Sequence, residues 1–275
     1  MPEILFPIRR VVSAIVSPMT PQAGTERAHR TVPPLVLVLL LLTLPVSALP
    51  GDWRVTPIRI DLGRNARSGV VTVINESDER LQVQMRAMEW TQDAEGKDQY
   101  ADSDDILFFP RLMVFDKKEE KILRAGIKAP PTGKEKAYRL FIEEIPGPAE
   151  AKGVNVAIAI RFGVPIFVGP PKEEARGEVG PVAMTEGTLS VPVRNSGNVH
   201  FVVQSVLVKG RNGKGEEEFS RELSGWYLLA GASRVYTTAV PPETCGNLGN
   251  VEVEVRTDKI SLRGQLVADP SMCSR

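Results

Sequence analysis

Apolar and polar side chains alternate through most of this chain, which predicts β-strands separated by turns about every ten residues. Between residues 53 and 160 the segments with this pattern are 53–62, 69–75, 81–90, 106–115, 121–127, 137–145 and 154–160. Pro57 assigns the first segment to a sheet edge, and Pro110 predicts that the fourth bends from one sheet to another. Seven short strands at this spacing are typical of an immunoglobulin-like sandwich.

A second series of strands follows a boundary rich in proline, glycine and charge at residues 165–176. Its predicted strands are 188–194, 201–209, 234–240, 251–256 and 261–267. Long helical periodicity is absent from both series. We therefore expect an all-β fold of two immunoglobulin-like β-sandwich domains set at an angle, 49–170 and 171–275, with a hinge near residues 168–178.

The most informative pattern lies at residues 154–160. Val154, Val156, Ile158 and Ile160 recur at every second position, so a strand would carry all four on one face. Two interpretations are open. The strand is an ordinary core element of its own domain, or it is held out for a partner whose core lacks a strand.

The N-terminal residues 1–48 have the features of a signal peptide with an N-terminal extension. A ten-residue run at 35–44, apolar apart from Thr43, follows Arg27 and Arg30, and small residues at 46–48 suit a signal peptidase. A run of this length is too short for a permanent membrane span, so we expect export without stable membrane insertion. An uncleaved membrane anchor is the alternative.

Composition excludes one class of partner. Hydrophobic residues make up 42% and charged residues 25% of the 275, as in ordinary soluble domains. The chain has 34 basic and 34 acidic residues, of which four basic and two acidic residues lie in the leader. The exported part is therefore close to neutral and has no basic field that would hold nucleic acid.

The two cysteines, Cys245 and Cys273, lie near the C-terminus. An even pair in an exported chain indicates a disulfide, which would contribute about 3–4 kcal/mol by restricting the unfolded chain. Two free thiols are the alternative. Together with His200 the cysteines are too few for a closed zinc site, and we expect no metal and no cofactor.

The sequence offers little for catalysis. His200 is the only histidine after the leader, and no GxSxG nucleophile motif accompanies it. Glu143 and Glu144 are neighbours on a predicted strand and would point to opposite faces, so they cannot act as a facing acid and base. Glycine-rich phosphate loops are absent. We do not expect an enzyme.

Several short motifs in one order carry a resemblance to a known family. They are PIRI, VTVINES, Trp90 at the end of the third strand, FFPRLMVF, KILRAG, YRLFIEEIP, VPIFVGPP and, in the second domain, VRNSGNVHF. Together they resemble the periplasmic chaperones of the chaperone–usher pilus pathway, the PapD-like family, from about Trp53 to Val267.

The resemblance implies a function for residues 154–160. In that family the seventh strand lends alternating apolar side chains to a pilin that lacks its own last strand, which makes Val154, Val156, Ile158 and Ile160 the donor residues. The implied partners are a pilin-like subunit and an outer-membrane usher, and the implied location is the periplasm. The alternative is an exported structural or adhesive subunit of a surface fibre.

The resemblance also implies an anchor for the subunit's C-terminal carboxylate. Classical members use one basic residue in the first strand, where this chain has Arg59, and a lysine in the seventh strand, where this chain has Pro165. Arg161, four residues earlier, is the second candidate, and whether it replaces the lysine is open. This departure is typical of the divergent branches of the family. For Arg59, a solvated charge on an edge strand is the alternative.

Overall fold

The structure, a computed structural model, describes residues 53–128, 130–147 and 159–273. Strands and turns account for nearly all of them. The helical pieces in this part are α1 (Pro242–Cys245) and a 3-10 turn at Pro270–Met272, and no helix in it is long and apolar enough to cross a membrane. The prediction of an all-β fold is confirmed. The predicted leader, residues 1–48, lies outside the described residues.

The first sandwich consists of two facing sheets. Its described strands are β1 (Trp53–Thr56), β2 (Ile60–Leu62), β3 (Ser68–Asn75), β4 (Leu81–Gln92), β5 (Asp98–Asp102), β6 (Ile106–Phe109), β7 (Leu112–Phe115), β8 (Glu120–Ile127), β9 (Lys136–Glu144) and β10 (Arg161–Val168). One sheet has the order β1-β3-β8-β6, and the other has the order β2-β10-β9-β4-β5 with β7 also on β4. All of these pairs are antiparallel except β2 with β10.

Alternation along the strands creates the core between these sheets. On β4 the side chains of Leu81, Val83, Met85 and Ala87 are buried and their neighbours face outward. β9 departs from this pattern, because its residues from 137 to 142 are buried on both faces. One face of β9 packs in the sandwich core and the other packs against the second sandwich, which places that second face at an interface.

Two prolines mark points where the chain changes sheets. The predicted bend at Pro110 is confirmed, because β6 pairs with β8 in one sheet and β7 pairs with β4 in the other. The prediction of one edge strand over 53–62 is wrong, because β1 and β2 belong to different sheets on either side of Pro57. Proline has no N–H to donate to a ladder, which makes these positions the natural breaks.

The second sandwich has the same two-sheet plan. Its described strands are β11 (Gly177–Val179), β12 (Ala183–Thr185), β13 (Thr188–Asn195), β14 (Phe201–Asn212), β15 (Glu217–Ser224), β16 (Tyr227–Leu228), β17 (Ser233–Ala239), β18 (Leu248–Thr257) and β19 (Ser261–Val267). One sheet has the order β11-β13-β12 with β17 on β13, and the other has the order β15-β14-β18-β19 with β16 on β14. A separate apolar core lies between them.

The predicted disulfide is confirmed. Cys245 at the end of α1 is bonded to Cys273, with their Cα atoms 5.7 Å apart. Cys245 is buried in the core of the second sandwich. The bond therefore ties the last described residues to that core.

A buried asparagine ends the same strand in each sandwich. Asn75 at the end of β3 donates through Nδ2 to the carbonyl oxygens of Glu79 and Asp116, at 2.7 and 2.9 Å. Asn195 at the end of β13 donates in the same way to two carbonyl oxygens. Both side chains are almost fully buried, so each holds together chain segments that are distant in sequence.

The connection between the sandwiches begins later than the sequence predicts. β10 continues through Pro165 to Val168, so the segment outside regular strands is 169–176. The domain limits at 170 and 171 and the hinge stay predictions, which the course of the sheets supports.

Candidate functional site

β10 has one uncovered edge over its first half. All of its residues pair with β9 on one side, whereas on the other side only Ile166–Val168 pair with a strand, β2. No described strand pairs with this second edge at residues 161–165. Unpaired N–H and C=O groups on an edge are a template for another strand, so this half of β10 can accept one.

The edge is open because the chain comes from β1 in the facing sheet and joins this sheet only at Ile60, where β2 begins. Residues 57–59 connect β2 to β1 in the facing sheet and do not follow β10 further. Ile58 in this connection is 81% exposed. A strand added to the open edge would therefore end beside Ile58 and Arg59.

Of the four predicted donor residues, Val154, Val156 and Ile158 lie outside the described residues. Ile160 is half-buried and packs partly against the core of the first sandwich. Its carbonyl oxygen accepts a hydrogen bond from the N–H of Glu144 at 2.9 Å, which extends the ladder with β9 by one position. The donor role of all four residues stays a prediction.

β10 is regular along its whole length, despite Gly163 and Pro165. Its register with β9 runs from Arg161 to Val168 without a bulge. Val164 and Ile166 face the core of the first sandwich. The alternate residues, including Pro165 and Phe167, therefore face the second sandwich.

Both predicted anchor arginines have acidic partners. Arg59 Nε lies 3.0 Å from Asp61 Oδ2, and Arg161 Nε lies 2.7 Å from Glu143 Oε1. The guanidinium group of Arg161 also stacks on the ring of Phe141, 3.7 Å from its centroid. Arg161 is thus held at the outer end of β10, about 13 Å from Pro165 at the usual rise of a strand.

A third arginine, Arg139 on β9, was not singled out by its sequence pattern. It is only 9% exposed, and its guanidinium carbon lies 4.0 Å from the ring centroid of Trp90. The rings of Tyr100 and Trp226 are 5.9 and 5.8 Å away. Nε is buried without a hydrogen-bond partner, and no acid in the described residues forms an ion pair with this arginine. Burial raises the pKa of Tyr100, which therefore stays a neutral phenol beside the cation.

Arg59 and Arg139 lie near Pro165. Arg139 is paired directly with Pro165 across β9 and β10, and Arg59 precedes Ile60, which is paired with Ile166. Residues opposite one another on adjacent strands share a face, and strands lie about 4.8 Å apart. Arg139 therefore lies directly beside the position where the resemblance expects a lysine, and Arg59 lies one residue before the start of the pairing on the other side of β10.

Gly163 provides space for Arg139. A Cβ atom at residue 163 would lie 2.9 Å from Arg139 Cδ and 3.3 Å from Phe141 Cε1. One sequence signal for Arg139 exists. In the segment 137–142 both faces of the strand are apolar apart from this residue, so it could not be assigned to a solvent face.

The second sandwich covers this face with aromatic side chains. Trp90 and Phe167 of the first sandwich pack with Leu229 and Tyr227 of the second. Gln92 fixes this contact, since its side chain donates to the Tyr227 carbonyl oxygen and accepts from the Leu229 N–H. The environment of Arg139 is thus formed by both sandwiches.

His200 is part of the same interface and is buried. Its Nδ1 lies 2.8 Å from Glu135 Oε1, and both side chains are about 5% exposed or less. The imidazole ring stacks on Phe167 at 3.6 Å. These contacts indicate that His200 packs and forms a hydrogen bond between the two sandwiches.

Comparison with known proteins identifies a family model for the first sandwich. Residues 53–173 match the model described as "Pili and flagellar-assembly chaperone, PapD N-terminal domain". A search of curated proteins by sequence gives no match.

Solved structures share the fold at low sequence identity. The chaperone CsuC in its complex with the tip subunit CsuE, from the archaic Csu pili of Acinetobacter baumannii, aligns with a TM-score of 0.57 and 17% identity over 77% of this chain and 98% of that chain. The chaperone YadV aligns at 0.55 and 13%, over 78% and 99%. The class 5 fimbriae chaperone CfaA aligns at 0.51 and 15%, over 78% and 99%. The prediction of immunoglobulin-like sandwiches is confirmed.

Proposed function

We propose that the chain is a PapD-like pilus-assembly chaperone, a family whose N-terminal domain model matches residues 53–173, and that it completes the core of a pilin-like subunit with the strand that leads into β10. Chaperones of this family are not enzymes, in agreement with the sequence. The observation that carries the proposal is the open edge of β10 at residues 161–165, directly after the alternating residues 154–160.

The proposed binding mode is donor-strand complementation. A subunit strand pairs with the open edge, and Val154, Val156, Ile158 and Ile160 enter the groove that the missing strand leaves in the subunit. Full burial of one aliphatic side chain of this size stabilises by about 1.5–3 kcal/mol. Natural proteins usually protect a free edge, and an apolar unprotected one favours a partner over an ordinary core strand.

The subunit's C-terminal carboxylate is held by Arg139 together with Arg59. Arg139 has an unpartnered buried Nε and no acidic partner in the described residues. A carboxylate there would supply both the missing acceptor and the missing charge. Arg161 fits the place of the absent lysine less well than Arg139, because it lies four residues before Pro165 on β10, where its guanidinium group stacks on Phe141.

Export and delivery complete the proposal. The segment 1–48 directs the chain to the periplasm, where it receives subunits and passes them to an outer-membrane usher. One similar structure is a complex of a chaperone with a tip subunit, which supports a pilin-type partner for this chain.

The test is replacement of Ile158 by Asp. The tagged chain is co-expressed in a bacterial periplasm with the small exported subunits encoded beside its gene. The measured quantity is the molar ratio of subunit to tagged chain after purification. A carboxylate in the subunit groove would be buried without a partner, so we expect Ile158→Asp to abolish subunit capture and leave the circular dichroism spectrum and melting temperature close to wild type.

The matched control is Ile122→Asp, at a 56% exposed isoleucine on β8 of the same sandwich. This variant should capture subunit as the wild type does. If Ile158→Asp unfolds the chain, the strand is an ordinary core element. If capture survives in that variant, the donor strand lies elsewhere.

A further inference from the structure

The loop between β15 and β16 extends from the second sandwich to Arg139. Its Trp226 donates from Nε1 to Asp98 Oδ2 of β5 at 3.0 Å, and its ring lies 5.8 Å from the Arg139 guanidinium carbon. Gly225 is required for this path, because a Cβ atom there would lie 1.8 Å from the Val203 carbonyl oxygen. The backbone and the indole hydrogen bond thus fix the loop at the anchor.

Trp226 differs from the other two tryptophans of the chain in its exposure. Trp53 and Trp90 are 6% and 1% exposed, whereas Trp226 is 41% exposed. Its N–H already has an acceptor, so the uncovered part of the ring is an apolar surface. Aromatic rings of this kind contribute strongly to contacts when another apolar group covers them.

An unpaired cation and an exposed ring therefore lie side by side. Their combined chemistry suits a group that has a carboxylate next to a large apolar side chain, which describes the last residue of a polypeptide with an apolar C-terminus. Neither Arg59 nor the open edge of β10 would provide such a surface, because Arg59 is an ion-paired polar side chain and the edge contributes backbone groups.

We propose that Trp226 of the second sandwich recognises the side chain of the subunit's C-terminal residue and selects large apolar or aromatic ones. This inference rests on the proposed function, in which Arg139 binds the terminal carboxylate. It assigns to the second sandwich a direct part in subunit selection, in addition to its packing against the first.

The experiment uses nine-residue peptides of alternating apolar and polar residues that end in phenylalanine or serine, with a free or an amidated C-terminus. Binding to the exported full chain is measured by titration calorimetry. We expect the phenylalanine acid to bind about tenfold more tightly than the serine acid, and both acids to bind more tightly than their amides. Acrylamide quenching of tryptophan fluorescence should decrease on binding, because Trp226 is the accessible tryptophan.

The deciding variant is Trp226→Ala. It should reduce the phenylalanine-over-serine preference to less than about twofold and keep the preference for acid over amide, which depends on Arg139. Trp226→Phe retains a ring and should keep most of the preference. Val267→Ala, at a 75% exposed apolar residue of the same sandwich, should change neither.

Two results would overturn the inference. An unchanged side-chain preference in Trp226→Ala and Trp226→Phe would show that the ring is not the recognition surface, while the carboxylate anchor stands. Equal binding of acids and amides by the wild type would remove the anchor itself, and the selection at Trp226 with it.

Discussion

Replacement of Arg139 by methionine tests whether the charge of this arginine is needed for subunit binding or for the stability of the fold. In the free chain the buried Nε without a partner costs about 1–3 kcal/mol. The stacking of the guanidinium group on Trp90, at 4.0 Å, offsets about 0.5–2 kcal/mol of this cost. Methionine keeps an unbranched apolar chain against the ring and carries no charge. We therefore expect the unfolding free energy of Arg139→Met to stay within about 1 kcal/mol of wild type.

Subunit binding should respond differently. Charge-assisted hydrogen bonds to a carboxylate are worth about 1.5–3 kcal/mol, which corresponds to an affinity about 10- to 150-fold weaker in the variant. Stability is measured by urea unfolding followed by circular dichroism, because a fluorescence signal would include the direct effect on Trp90. Affinity is measured by competition for the subunit between variant and wild-type chain.

Arg161→Met is the matched control, since it removes an arginine from the same side of the neighbouring strand. Its ion pair with Glu143 is half-exposed and should contribute no more than about 1 kcal/mol. If Arg139→Met lost more than about 3 kcal/mol of stability, the cation would be structural. If subunit affinity fell in Arg161→Met and not in Arg139→Met, the anchor would be Arg161.

Two further predictions concern stability. Reduction of the disulfide, or replacement of Cys245 and Cys273 by serine, should lower the unfolding free energy by about 3–4 kcal/mol; urea unfolding with and without reductant measures this, and an unchanged midpoint would contradict it. Hydrogen bonds from Tyr138 and Lys136 lower the pKa of Asp105 in the folded chain, so its stabilising contribution is present above a pH of about 4 and is lost as the pH falls through the lowered pKa. As the pH is lowered from 7 to 2, the melting temperature should therefore decrease less steeply for Asp105→Asn than for wild type. The same decrease in both proteins would refute a stabilising role of the Asp105 carboxylate.

Much of the fold can be predicted from the alternation of apolar and polar residues. The errors in the strands that this pattern does not predict correctly have identifiable physical causes. The bend at Pro110 could be predicted because the residues on either side of it are nearly all apolar and do not alternate. The equivalent break at Pro57 was missed, because apolar and polar residues alternate on both sides of it, as they would in one edge strand. β15 was missed for another reason. It pairs with β14 on one side only, and Phe219 is its one buried residue.

The site was predictable only in part. The alternation at 154–160 and Arg59 are visible along the chain, because each belongs to a local pattern. Arg139 was not found, because the apolar residues on both faces of its strand indicate burial but do not show which element covers the arginine. The proposed anchor role of Arg139 depends on its pairing with Pro165 and on its contact with Trp226. Neither contact follows from the local sequence.

The buried Asn75 limits the hosts in which this protein can be produced. Asn75-Glu76-Ser77 has the form of an N-glycosylation acceptor. In the folded chain the Asn75 amide is 1% exposed, and both of its hydrogens are donated to carbonyl oxygens. A sugar attached there before folding would replace one of these hydrogens and has no room in the buried site, so the two hydrogen bonds could not both form. A chain glycosylated at Asn75 in a eukaryotic secretory pathway would thus be unable to close its first sandwich. A bacterial host without this modification would produce a chain that can close it.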